Sequence, residues 1–220
     1  MKEWLTKNIL QLVELVFIGI VGIFISIQAN RISASQLKLN QAQSMPAFIV
    51  NERQTYNSEH TYFDTNTIEV SCENGFFTNY NSDIACILRI KEAEKEEKLI
   101  PLYGYWFSHT HTGNTSGIVE KITGYKNNEK YNNLCEQIKN ILNNNVIIDI
   151  DTYMQISYLD ILSQEQSKYY QVETIDGTTI IDKAICREKI KYYDDAYGNN
   201  SYYDIDTSTT DDLKRLLNEE

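Results

Sequence analysis

The chain has 220 residues, 42 % of them hydrophobic, with a formal charge of -11 and four cysteines. That length suits an anchoring segment plus one domain of about 175 residues, and the spread of apolar residues excludes wholesale disorder. The acidity excludes nucleic acid as a partner, because phosphate binding needs a basic stripe, and it disfavours charge-driven docking on anionic lipid.

The first predicted element is a transmembrane helix from Ile9 to Ala29 (ILQLVELVFIGIVGIFISIQA). At ~1.5 Å per residue it spans roughly 31 Å, the depth of a hydrocarbon core, so a lipid bilayer is the first expected partner. Leu15 to Ile27 is its uninterrupted apolar centre, and Trp4 precedes it as an interfacial aromatic should. The ANRISAS stretch that follows is a poor signal-peptidase site, so retention of the span is expected. Glu14 sits near one end of the span, where it can snorkel to the headgroups, take a proton, or face a neighbouring helix. Gly22 and Ser26 are four residues apart and Gly19 widens the same face, a pattern that lets two spans approach and form a homo-oligomer.

Lys2 and Lys7 before the span balance Arg31 and Lys38 after it, leaving the positive-inside count tied. Four cysteines (Cys72, Cys86, Cys135, Cys186) without a metal-binding or pairing pattern tilt the soluble domain towards the cytoplasmic side of the cell membrane. Read this way, they are small apolar residues of a core. The organisation is then residues 1–29 as tail and span, 30–45 as a helical stalk stopped by Pro46, and 46–220 as a β-rich domain with an acidic C-terminal segment.

Beyond Pro46 the period becomes strand-like: AFIV, TIEVSC and ACILRI are each bounded by Asn, Asp or Gly. The charged run KEAEKEEK reads as a solvated hairpin tip, followed by LIPLYGYWFSHTH as one strand, the turn HTGNTSG, and GIVEKITGY. An amphipathic helix is expected from about Asn127 to Asn144, with Tyr131, Leu134, Cys135, Ile138, Ile141 and Leu142 on one face. NNVIIDIDTYMQISYLDIL, KYYQVETI and TTIIDKAICREKIKYY read as strand-rich, with Asp176 and Gly177 in a hairpin turn. A short last helix is capped by Thr209 or Thr210 and docked by Leu213, Leu216 and Leu217. The fold class is an N-terminal transmembrane helix plus a mainly-β, β-sandwich-like (α+β) domain with one packed amphipathic helix.

His109 and His111 are two apart on a strand, so they share a face and could share a metal with His60 or a carboxylate; the plainer reading is two surface histidines. Strict alternation puts Tyr103, Tyr105 and Phe107 on that face as well. Asp149, Asp151 and Asp160 could form a magnesium or acid-base site, but with Val146, Ile148 and Ile150 turned to the core the first two should face water. There is no phosphate loop, nucleophile elbow or H-E-x-x-H motif, so no catalytic residue and no cofactor is assigned.

Around Glu14, LVELVFIGIVGIFISI resembles the LIELxxVIAIIGIL core of type IV pilins. That resemblance implies a filament subunit in which Glu14 serves assembly, although Ile9 stands where a pilin has glycine before its cleavage point. The layout of a span, SIQANRISASQLKLNQAQSMPAFIV, IEVSCENG and ISYLDILSQEQSKYYQV is similar to uncharacterised bacterial single-span proteins with a β-sandwich-like domain. It implies a place in antiviral defence. The expected function is a non-enzymatic, membrane-tethered protein that binds or senses a protein or small ligand through Tyr-rich surfaces. The alternatives are a membrane-disrupting effector that oligomerises through its span, and the pilin-like subunit.

Overall fold

The computed structural model describes residues 2–59, 61–92, 95–113, 116–142, 145–173 and 177–218, without the side chains of 2–12, 14 and 41–44. It divides into two units, Met1–Met45 and Pro46–Glu220.

The first unit is one unbroken helix, α1 (Lys2–Ser44), of 43 residues. At ~1.5 Å per residue it runs about 65 Å, twice what a hydrocarbon core needs, so the helix continues well past its apolar part as expected. Leu15–Asn40 is long and apolar enough to cross a membrane, with mean hydropathy 1.9. Among the described residues that segment covers the Leu15 to Ala29 part of the expected span and runs on to Asn40. Pro46 follows the last turn and lies buried in the second unit.

The described residues of the second unit form ten strands and three helices: β1 (Phe48–Tyr56), β2 (Phe63–Cys72), β3 (Thr78–Glu92), β4 (Lys98–Tyr103), β5 (Ser108–His111), β6 (Gly117–Thr123), α2 (Asn127–Ile141), β7 (Val146–Leu159), β8 (Glu165–Glu173), β9 (Gly177–Ile180), α3 (Lys183–Asn199), β10 (Tyr203–Asp204) and α4 (Thr210–Asn218). They form a four-stranded sheet, β1-β2-β6-β5, and a six-stranded sheet, β10-β4-β3-β7-β8-β9. Every pairing is antiparallel except β10 on β4.

Alternation on β3 and β7 places two cores on opposite faces of the six-stranded sheet. Cys86, Leu88, Ile90, Met154 and Ile156 join Val50, Ile68, Val70 and Ile122 of the four-stranded sheet in the main core. Ala85, Ile87, Tyr153 and Tyr169 face the other way, onto Cys186 and Ile190 of α3. Val146, Ile148 and Ile150 pack on the main core as expected.

The expected helix after Asn127 is α2, and it adds Leu134 and Ile138 to the main core. Its first residue, Asn127, is a buried latch whose amide donates to the Asn66 and Tyr105 carbonyls while its Oδ1 accepts the Asn66 N–H at 2.7 Å. Gly124 lets the chain pass this point: a Cβ there would lie 2.2 Å from the Tyr105 carbonyl oxygen. The last helix, α4, is capped by Thr209, whose Oγ1 accepts the Asp212 N–H while Asp212 accepts the Thr209 N–H. Leu213 and Leu216 dock it and are buried.

Two expectations are corrected. TTIIDKAICREKIKYY is strand only up to Ile180, and from Lys183 it is α3. The β-branched run ends at Ile181, the Asp182 carboxylate caps the helix by accepting the Ala184 N–H at 2.7 Å, and Cys186, Ile190 and Tyr193 recur at helical spacing on the second core. The domain therefore carries three packed helices rather than one. LIPLYGYWFSHTH is not one strand either. It breaks at Gly104 (φ 78°), which leaves β4 and β5 in different sheets. Alternation stops there: Tyr105 and Trp106 are both buried, with the indole N–H of Trp106 donating to Thr152 at 3.0 Å, whereas Phe107 is exposed.

Candidate functional site

His109 and His111 do share a face of β5, but what they meet is a carboxylate. β5 pairs with β6 so that His111 lies opposite Glu120 and His109 opposite Ile122. Glu120 is fully buried. Its Oε1 lies 3.0 Å from His109 Nδ1 and accepts the Ser82 hydroxyl at 2.9 Å, while Oε2 accepts the Tyr80 hydroxyl at 2.8 Å. His111 Nε2 stands off at 3.7 Å from the same Oε1, with its ring edge-on to Tyr80. Burial alone would raise the Glu120 carboxyl, but the bonds from His109, Ser82 and Tyr80 outweigh it and hold the group below its ordinary range. Burial and the neighbouring Glu120 charge push the Tyr80 phenol far up, so it remains a donor.

This cluster ties the two sheets together, since Glu120 comes from one and Tyr80 and Ser82 from the other. The Ser82 hydroxyl donates to the carboxylate rather than to an imidazole, so the groups are not ordered as an acyl-transfer triad. Among the described residues no group of three or more His, Cys, Asp or Glu side chains is disposed to hold a metal ion; His60 lies outside them.

The aspartate pair divides differently from expectation. Asp149 is half-exposed, but the side chain of Asp151 is only 8 % exposed, because α3 covers that face of the sheet. The missed helix is the reason for the error. Arg89 on β3 stands between three carboxylates, Asp149 at 3.4 Å, Asp151 at 3.5 Å and Glu97 at 3.7 Å. Burial raises the Asp151 carboxyl and Arg89 only partly offsets this, so its net shift is upward, opposite to Glu120. Burial and Asp151 together push the Tyr153 phenol up to about 12.

Arg89, Glu97, Asp151 and Tyr153 line a cavity of about 160 Å³ under α3, walled on the apolar side by Ile87 and Leu99. Outside it lies an open groove of about 1090 Å³ between the 95–98 segment, α3 and α4. Glu97, Leu99 and Lys189 line both. The charged run joins β3 to β4 as a hairpin with residues 95–97 exposed, as expected, and the same residues wall this groove, while Ala93 and Glu94 lie outside the described residues. The β4 edge beside this groove is closed to strand addition, since Pro101 has no N–H and the Leu99 carbonyl accepts the Tyr192 hydroxyl at 2.8 Å.

Asp160 joins neither site. Its carboxylate accepts the Leu162 and Gln164 N–H groups and the Gln166 amide, bracing the β7–β8 turn. Gly177 opens β9 opposite Glu173, and Asp176 lies outside the described residues. All four cysteines are free, three of them buried and Cys135 half-buried. Four tyrosines cluster at the surface: Tyr103 stacks on Tyr193 with centroids 4.2 Å apart, and Tyr197 stacks on Tyr202 at 5.5 Å. On α1, a Cβ on Gly19 or Gly22 would meet nothing within 4 Å, and the Ser26 hydroxyl donates to the Gly22 carbonyl. The Glu14 side chain lies outside the description.

Sequence reasoning missed Glu120, Arg89 and Lys189. Glu120 in GIVEKIT breaks an apolar strand face, which was the one available signal. No protein-family model matches the chain, and no curated protein matches it in sequence.

Proposed function

We propose that the chain is a non-enzymatic, single-pass membrane protein whose β-sandwich-like domain binds or senses a small ligand. The observation that carries the tether is the apolar surface of α1, where Leu15, Phe17, Ile18, Ile23 and Phe24 are each at least 64 % exposed with no protein against them. Exposing that stripe to water costs roughly 25 cal/mol per Å² of apolar area, and a bilayer removes the cost. The cleft under α3 supports the binding half of the reading. It offers a polar cavity with convergent charged groups and an open approach, which is how small-molecule sites are built.

Alkaline carbonate extraction of membranes tests the tether. The full chain should stay in the pellet, and a Val16→Arg/Ile20→Arg double variant should move to the supernatant; a soluble full chain overturns it. The unpaired cysteines fit a cytoplasmic domain. Labelling Cys135, the least buried thiol, in intact and in lysed cells decides the side. A role in antiviral defence rests on the sequence resemblance alone, and phage challenge of a deletion strain tests it.

The second reading, an effector that oligomerises through its span and disrupts the membrane, is favoured by the open small-residue face of Gly19, Gly22 and Ser26. It requires Gly22→Leu to abolish both crosslinked oligomers and membrane depolarisation. Unchanged depolarisation in Gly22→Leu excludes this route.

A further inference from the structure

The cavity under α3 has a floor of four adjacent strands: Leu99 on β4, Ile87 and Arg89 on β3, Asp151 and Tyr153 on β7, and Gln171 on β8. Register places these residues side by side, with Leu99 opposite Arg89, Ile87 opposite Asp151, and Tyr153 opposite Gln171. Lys189 of α3 lines the same space. The lining therefore presents two cations, two carboxylates, a phenol and an amide around a short apolar wall.

The charges in this cavity are poorly served by one another. The guanidinium of Arg89 reaches its three carboxylates only at 3.4 to 3.7 Å, looser than a charge-assisted hydrogen bond of about 2.8 Å. Lys189 makes no ion pair or hydrogen bond with the described residues, although its charge acts on Asp151. Asp151 meanwhile has its side chain more than nine-tenths buried. Glu120, by contrast, has every donor within 3.0 Å. A partly buried lining that carries both signs, with ion pairs this loose, matches a ligand that carries both signs.

The alternatives fit less well. A simple anion would face Asp151 and Glu97; a simple cation would face Arg89 and Lys189; an apolar molecule would strand all of them. A volume near 160 Å³ is several times the roughly 10–15 Å³ that one water needs, room for a small polar molecule.

We propose that the cavity lined by Arg89, Glu97, Asp151 and Lys189 binds a free α-amino acid, with the ligand ammonium between Asp151 and Glu97 and its carboxylate on Lys189. The outer groove, which shares Glu97, Leu99 and Lys189, is the way in. This rests on the proposed binding role of the domain, and it names the class of ligand.

The test is calorimetry and thermal unfolding of the full chain in detergent micelles, with each of the twenty amino acids in turn. Ethylamine and propionate serve as probes that carry one charge each. The expected result is saturable binding of one or a few amino acids, at least tenfold weaker binding of both single-charge probes, and at least tenfold loss in Asp151→Asn and in Lys189→Gln. Both variants should keep a cooperative transition, and Lys189→Arg should restore most of the affinity. Absence of binding by every amino acid overturns the proposal, as does binding that both variants retain or that ethylamine or propionate match. If a small-molecule extract of cells raises the unfolding temperature of the full chain but not of Asp151→Asn, while no amino acid does, the ligand class is wrong and the binding role survives. If neither extract nor amino acids act, both fall.

Discussion

Glu120 of the four-stranded sheet and Asp151 of the six-stranded sheet are buried carboxylates, and their surroundings shift them in opposite directions. Glu120 faces the inter-sheet core and receives close bonds from Tyr80, Ser82 and His109. Asp151 faces α3 beside a cavity, with the Arg89 cation at 3.5 Å, the Tyr153 phenol and the charge of Lys189 as its partners. Burial opposes the charge in both; the number and closeness of donors decides the sign. A fully served carboxylate contributes to the fold, whereas an under-served one is tolerated at a cost, which is where a binding role becomes the better explanation.

The sharpest way to break this comparison is to remove each carboxylate. Glu120→Ala leaves the Tyr80, Ser82 and His109 donors buried or half-buried without an acceptor, and about 3 kcal/mol of unfolding free energy should be lost in denaturant titration. A loss under ~1 kcal/mol would show that the sheets do not depend on this bridge.

Next in size, Ser82→Ala removes one of the bonds to the carboxylate and should cost about 1 kcal/mol. In a double-mutant cycle with Glu120→Gln its effect should shrink, and full additivity would deny the coupling.

Acid titration reads the two signs directly. The folded-state pKa of Glu120 lies below its unfolded value of about 4.3, so its contribution is complete above that value and is lost as pH falls through the lower folded value. Asp151 behaves oppositely: its folded pKa lies above about 3.9, so its unfavourable contribution grows as pH rises through that window and is complete above the raised value. Glu120→Gln should therefore flatten the acid limb of unfolding, and Asp151→Asn should steepen it.

The smallest expected effect is Asp151→Asn at neutral pH, a gain of about 0.5 kcal/mol, because Arg89 keeps Asp149 and Glu97. A loss larger than ~1 kcal/mol would make Asp151 a structural partner of Arg89 and erase the contrast with Glu120.

Much of the architecture was legible before any coordinates. The apolar run from Leu15 to Ile27 is legible from composition alone, and Pro46 marks the end of its helix by backbone chemistry. Strand-like runs identified β2 and β3, alternation identified the core face at the start of β7, helical spacing identified α2, and the Thr209 cap with its following leucines identified α4. These signals are local, so one segment of chain is enough to read them.

Three things needed tertiary structure. Cys186, Ile190 and Tyr193 mark α3 only once a second core exists for them to cover, since the preceding TTII run favours a strand. The face of His109 and His111 was predictable from alternation, but their partner was not: Glu120 reached them through strand pairing across a turn, and Tyr80 and Ser82 came from the other sheet. Asp151 reads as a wet-face residue until α3 covers it, and its cavity joins four strands and a helix that are far apart in the chain. What residues 1–220 determine by themselves is where each segment is apolar, capped or broken; which charges meet is decided by long-range packing that no local pattern encodes.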